Sequence, residues 1–407
     1  LNTGKNNVAL GNSAGNAITE GDSNILIGCG AGKAATSADQ NIMIGLEAGR
    51  RHTTGHSNVF LGYYAGEGAS SSGGTGHNNI AVGCKALSEQ LTSGTQNIAL
   101  GNNAGLCIAD GHSNINIGYQ AGCANTNALC NVAIGYVAGS MNGTGDHNVY
   151  LGTEAGKSDT TSNGTGNYGA YNVALGCQAG YVLSTGCDNV LIGRKAGHAV
   201  NAGTSIIAIG CGALASEDQN SWGSIAIGKG ALGSQDTTLF ANTAIGDGAG
   251  CTLTTGGSNV FLGFSAGKWI TGASTGNVAI GALALQASSA SYGNVVIGQE
   301  TARCTTGSYN TIIGDKAGDG AGDGSYNTFL GKDAGSAITN GDGNLFLGYG
   351  VGDAVTIGCY NVALGYTVDV PSPTGNNQLA IGCGAVKWID GDSSFNVCLA
   401  DGVIKAL

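Results

Sequence analysis

One nine-residue word recurs along the chain, mostly at steps of 16 to 18 residues, and that period restricts the fold more than any other feature. It reads NVALGNSAG from Asn7, NILIGCGAG from Asn24, NIMIGLEAG from Asn41 and NVFLGYYAG from Asn58, and closes with QLAIGCGAV from Gln378. Its central glycine marks 22 copies, from Gly11, Gly28 and Gly45 to Gly348, Gly365 and Gly382. Two steps are long: 21 residues between Gly62 and Gly83, and 24 between Gly152 and Gly176. A unit this short cannot bury a core alone, so neighbouring copies must stack. One array fills residues 1–386 as a tandem-repeat shaft, and 387–407 form a non-repeat tail.

Within the word, the residue before the glycine is Leu, Ile or Val in every copy, and the residue two before that is aliphatic in 19 of 22. Spacing of two places both on one strand face, so the expectation is that this pair lines the interior of each coil. The glycine turns the chain where a Cβ would obstruct it. Alanine three residues later suits a narrow coil, and the opening Asn either hydrogen-bonds along the stack or merely tolerates turn dihedrals. The predicted architecture is all-β, a parallel β-solenoid with one coil per ~17 residues.

The middle strand residue points the other way. It is Ala in half the copies and large and apolar in others: Leu26, Met43, Phe60, Tyr150, Leu191, Phe261, Ile312, Phe329 and Phe346. A solvated face would alternate to polar residues, so these nine are expected to form a seam between copies of the chain, and Phe60, Phe261 or Phe346 replaced by Ser to dissociate it. The alternative is that the coil's own second wall covers this face.

Composition narrows the function. Glycine supplies 76 of 407 residues, but without a three-residue period and with two prolines it excludes collagen. The net charge of −11 repels phosphate backbones, so no nucleic-acid partner is expected. No apolar run suggests membrane insertion, and the start at Leu1 suggests a processed or partial chain.

The repeated Asn-aliphatic-Ala-Ile/Leu-Gly-x-x-Ala word, over about residues 5–386, resembles the head repeats of trimeric autotransporter adhesins. It is equally similar to tandem repeats of viral tail-fibre and host-attachment proteins. The resemblance implies a homotrimer of left-handed β-rolls. The cysteines depart from the bacterial heads, and the stretch from Lys387 is similar to the segment that leads to a chaperone domain in viral fibres.

Thirteen cysteines without C-x-x-C spacing argue against zinc; Cys107, Cys123 and Cys130 are the best pairing candidates, and small apolar filler is the plainer reading. Histidines His56, His77 and His112 precede the repeat Asn by two residues, either as turn residues or converging on a trimer axis. Asp319 and Asp323 hint at a calcium loop but lack its register. No catalytic motif occurs, so neither an enzyme nor a cofactor is expected. Binding elements should interrupt the repeat: the insertions Gly66–Asn78 and Gly156–Tyr171 offer His77, Tyr168 and Tyr171 as candidate contacts with a host surface glycan or protein. The expected function is a non-enzymatic fibrous attachment protein at a virion surface or outside a cell, tail-fibre-like. Alternatives are a bacterial surface adhesin, a self-polymerising filament and, last, an ice-binding solenoid.

Overall fold

The structure is a computed structural model that describes residues 3–68, 73–89, 92–141, 143–158, 169–216, 222–235, 241–320, 322–394 and 396–399. The described residues form an all-β parallel solenoid without a helix. The chain makes two compact units: Leu1–Ile206 with Asp218–Asn220, and Ile207–Glu217 with Ser221–Leu407. In the first, three-residue strands from Val8–Leu10 to Val190–Ile192 pair in parallel with their sequence neighbours. Equivalent residues face each other, Val8 opposite Ile25 and Ala9 opposite Leu26. The second unit repeats this from Ile207–Ile209 to Leu379–Cys383. There the parallel ladder ends, and Val386–Gly391 and Val397–Leu399 continue as antiparallel strands.

Stacking satisfies backbone outside the strands as well. In the first unit the N–H groups of Gly15 and Thr19 donate to Ala31 O and Thr36 O of the next coil, at 2.9 and 3.0 Å. The repeat Asn is a bonding device rather than a tolerant turn residue. Asn41 donates its backbone N–H and its Nδ2 to Asn24 Oδ1 at 3.0 and 3.1 Å, and its Nδ2 also to Gly55 O at 2.8 Å. Asn41 is fully buried, so the ladder supplies the partners that burial demands. The ladder also crosses the long steps: Asn79 N–H reaches Asn58 Oδ1 and Asn172 N–H reaches Asn148 Oδ1, both at 2.9 Å. Insertions therefore leave the register unchanged.

The two strand faces are exchanged relative to the sequence expectation. Leu26, Met43, Phe60, Leu191, Phe261, Ile312, Phe329 and Phe346 are 0% exposed and Tyr150 is 2% exposed, all within a single chain. They fill the coil interior and cannot form an intermolecular seam. The aliphatic pair on either side points outward instead, with Leu10 at 65%, Leu262 at 42% and Leu330 at 48% exposure. Large middle residues fit because the fourth residue after the central glycine is itself glycine in their coils. A Cβ on Gly267 would lie 2.7 Å from Phe261 Cδ1, and one on Gly335 2.9 Å from Phe329 Cε2. Where the middle residue is Ala81, Ala208, Ala226 or Ala279, that fourth position holds Leu87, Leu214, Leu232 or Leu285, all buried. Volume lost on one wall is restored on the other, the condition for a close-packed interior.

The seventh residue after the glycine completes the core, as Ile18, Ile108, Leu183 and Val200 in the first unit, all buried. His52 takes this slot in its coil. It is fully buried against Phe60, with ring centroids 4.9 Å apart, and neither ring nitrogen has a partner. Burial, helped by His77, pushes its pKa down to about 4. The unfolded chain would take up this proton near pH 6.5, while the folded chain resists until about pH 4. Stability of the first unit is therefore complete above pH 6.5 and should fall by up to about 3 kcal/mol as the pH drops towards 4. Denaturant titrations at pH 7 and pH 4.5 check this. His52→Ile should flatten the difference, and an unchanged pH dependence in that variant would refute the assignment.

Candidate interaction surfaces

The outward strand face carries exposed apolar side chains in each unit. In the first, Val8, Ile25, Ile44, Ile80, Val82 and Leu151 are all at least one-third exposed. They descend from the first and third strand positions, the third aliphatic in every copy and the first in all but those of Thr243, Thr311 and Thr328. Parallel in-register pairing therefore aligns them in two rows running across the coils of each unit. A β-face whose outward side is aliphatic in most coils departs from the polar alternation of a solvated sheet.

Aromatic files flank this face. Tyr119 and Tyr136, each just after a central glycine, stack at 5.3 Å, and Tyr349 and Tyr366 repeat the arrangement at 5.2 Å in the second unit. A second file occupies the residue before the repeat Asn. There His147 stacks on Tyr171 at 5.0 Å and Tyr309 on Tyr326 at 5.4 Å, all with positive φ and the three tyrosines exposed. Tyr171 is thus an exposed aromatic of a regular coil position rather than of a disrupted loop. Tyr168 lies outside the described residues.

His77 has a definite structural task. Its ring stacks on His56 at 3.9 Å, and its Nδ1 accepts the His56 backbone N–H at 3.2 Å. His112 does the same for Thr95 N–H at 3.1 Å, and Asp39 Oδ1 for Asp22 N–H at 2.7 Å. This slot thus holds side-chain acceptors for turn backbone that no strand reaches. Accepting at Nδ1 places the neutral proton on Nε2. Burial, then the neighbouring His56, hold His77 below the ordinary histidine value.

The remaining polar candidates are also committed locally. Asp319 makes a bidentate pair with Arg303, at 2.6 and 2.8 Å, and Asp323 accepts from the Thr306 hydroxyl. Among the described residues, no group of three His, Cys, Asp or Glu side chains is placed to hold a metal ion. The thirteen cysteines are free thiols. Cys107 meets Cys123 only through a backbone hydrogen bond of 2.9 Å, and burial, then the nearby Glu89, push its thiol up to about 11. Cys123 donates its S–H to Ser140 O at 3.2 Å. Among the described residues, no helix is long and apolar enough to cross a membrane.

Compared with known proteins, the chain matches no family model, no curated protein and no solved structure at a significant level.

Proposed function

We propose that the chain is the shaft of a non-enzymatic fibrous attachment protein, in which three copies associate through the outward aliphatic faces of their strands. The observation that carries this reading is the aliphatic outward pair of most strands, exposed at both positions in Val8 with Leu10 and Ile80 with Val82, where a lone soluble chain would place polar residues. The copy number, the left-handed coil and the role in adhesion come from the resemblance to autotransporter heads and viral tail fibres. A virion surface or extracellular setting follows from that role. A filament growing end to end is the rival. The edge of Leu379–Cys383 is already occupied by antiparallel Val386–Gly391, which weighs against growth from that strand.

Light scattering coupled to size exclusion tests the proposal. The expected mass is near three times 39.9 kDa. Leu262→Lys combined with Leu330→Lys should lower it to that of one chain with the circular dichroism unchanged, because both side chains are exposed in the single chain. A monomeric wild-type chain would overturn the reading, and an open-ended mass distribution would favour the filament.

A further inference from the structure

We propose that a recess beside Trp269, in the second unit, is a saccharide site that holds a pyranose ring, an inference that rests on the attachment reading for its biological sense. The recess has a volume of about 310 Å³, near the lower end of the roughly 300–1,000 Å³ of small-ligand clefts. It draws on the coils of Gly263, Gly281 and Gly298, from the sixth to the eighth residue after each glycine. Trp269, Ala287 and Cys304 are the sixth residues, so an indole stands beside two small side chains. No other coil from Gly11 to Gly365 carries an aromatic at that position. Register thus creates a step one aromatic ring high.

Trp269 is 51% exposed although it could have been packed away, and Lys268 Nζ lies over its ring at 5.0 Å, steadying the indole. The recess is otherwise bordered by Thr271, Ser289 and Thr306, and no carboxylate lines it. An apolar aromatic platform with neutral groups that both donate and accept matches a sugar ring, with its C–H face and hydroxyl edge. It does not match a phosphate or a charged peptide.

Ser288 occupies the core slot that the preceding coil fills with Ile270, is 4% exposed, and its Oγ has no hydrogen-bond partner. Thr305, between Cys304 and Thr306 in the next coil, likewise has an unpartnered buried hydroxyl. A hydroxyl left unmet in a slot made for isoleucine costs stability unless something else satisfies it. The Ser288 Oγ is enclosed behind the recess wall, so this cost falls on the wall beneath the indole rather than on a ligand contact.

Saturation-transfer NMR on the purified chain tests this, with the methyl pyranosides of glucose, galactose, mannose, fucose and N-acetylglucosamine as probes. At least one should show transfer, and Trp269→Ala should raise its dissociation constant about ten-fold or more. Ser288→Ala, which removes a hydroxyl enclosed behind the recess, should leave that constant unchanged while the thermal midpoint stays equal or rises. No transfer from any probe, or transfer undiminished by Trp269→Ala in a variant with unchanged circular dichroism, would overturn the site. The recess belongs to one chain, so its failure and that of the shaft are separable. A trimer without sugar contact removes only the site, and sugar contact by a monomer removes only the shaft.

Discussion

Gly176→Ala is expected to destabilise the first unit by about 4 kcal/mol or more, while Gly230→Ala in the second unit should cost only about 1–2 kcal/mol. Both glycines have positive φ, but their surroundings differ. Gly176, at φ 132, lies outside the left-handed helical well that other residues visit, and an added Cβ would sit 2.7 Å from both C and O of Gly193. That neighbour is backbone of the next coil, so relief requires prising two coils apart and weakening their hydrogen bonds. Gly230, at φ 64, would present its Cβ to nothing within 4 Å. Thermal melts of the two variants check the contrast. Equal losses would mean that the central glycines serve dihedral freedom alone and not the close approach of coils.

The same contrast explains which parts of the fold were legible in the residues. Glycine at the turn and Asn at the corner each meet a backbone requirement that recurs in every coil. That requirement leaves Gly in all 22 copies and Asn in 19, so period and coil could be read directly, and the ladder as one of two compatible readings of the Asn. The direction of the strand faces could not. With both faces apolar, period-two spacing says only that Ile25 and Ile27 share a face opposite Leu26, not which face is inside. Aliphatic uniformity at the flanking positions invited the wrong choice, because uniformity resembles a core. A better signal lay in the pairing of Phe60 with Gly66, Phe329 with Gly335, and Ala81 with Leu87. Where sizes at the two positions are reciprocal, as in these coils, the two side chains share one volume, which points to an interior; coils such as Ala99 with Gly105 do not follow the rule and blur the signal. The recess at Trp269 was hidden for a different reason. It belongs to no single repeat but to three adjacent ones, and only the stacking register brings Ser288 and Cys304 beside the indole.

Phe261→Ser should therefore unfold rather than dissociate. Phe261 is fully enclosed between the backbones at Gly250 and Gly267, where added Cβ atoms would come within 2.8 and 2.7 Å of its ring. Removing a buried aromatic leaves a cavity worth about 3–5 kcal/mol, and the serine hydroxyl adds an unmet donor in the same place. The loss should be independent of protein concentration, because the contacts broken lie within one chain. Leu262→Ser, one residue away on the outward face, should behave in the opposite manner. Its side chain is 42% exposed, so the folded chain forfeits little, while any assembly through that face loses an apolar contact. Denaturant titrations at two protein concentrations, run beside mass measurements, separate the two responses. If Phe261→Ser lowered the mass while leaving single-chain stability intact, the middle residues would have to face outward after all, and the interior described here would be inverted. If instead stability collapses in Phe261→Ser and mass alone shifts in Leu262→Ser, the two faces of one three-residue strand divide the work. One holds the coil together, and the other holds copies to each other.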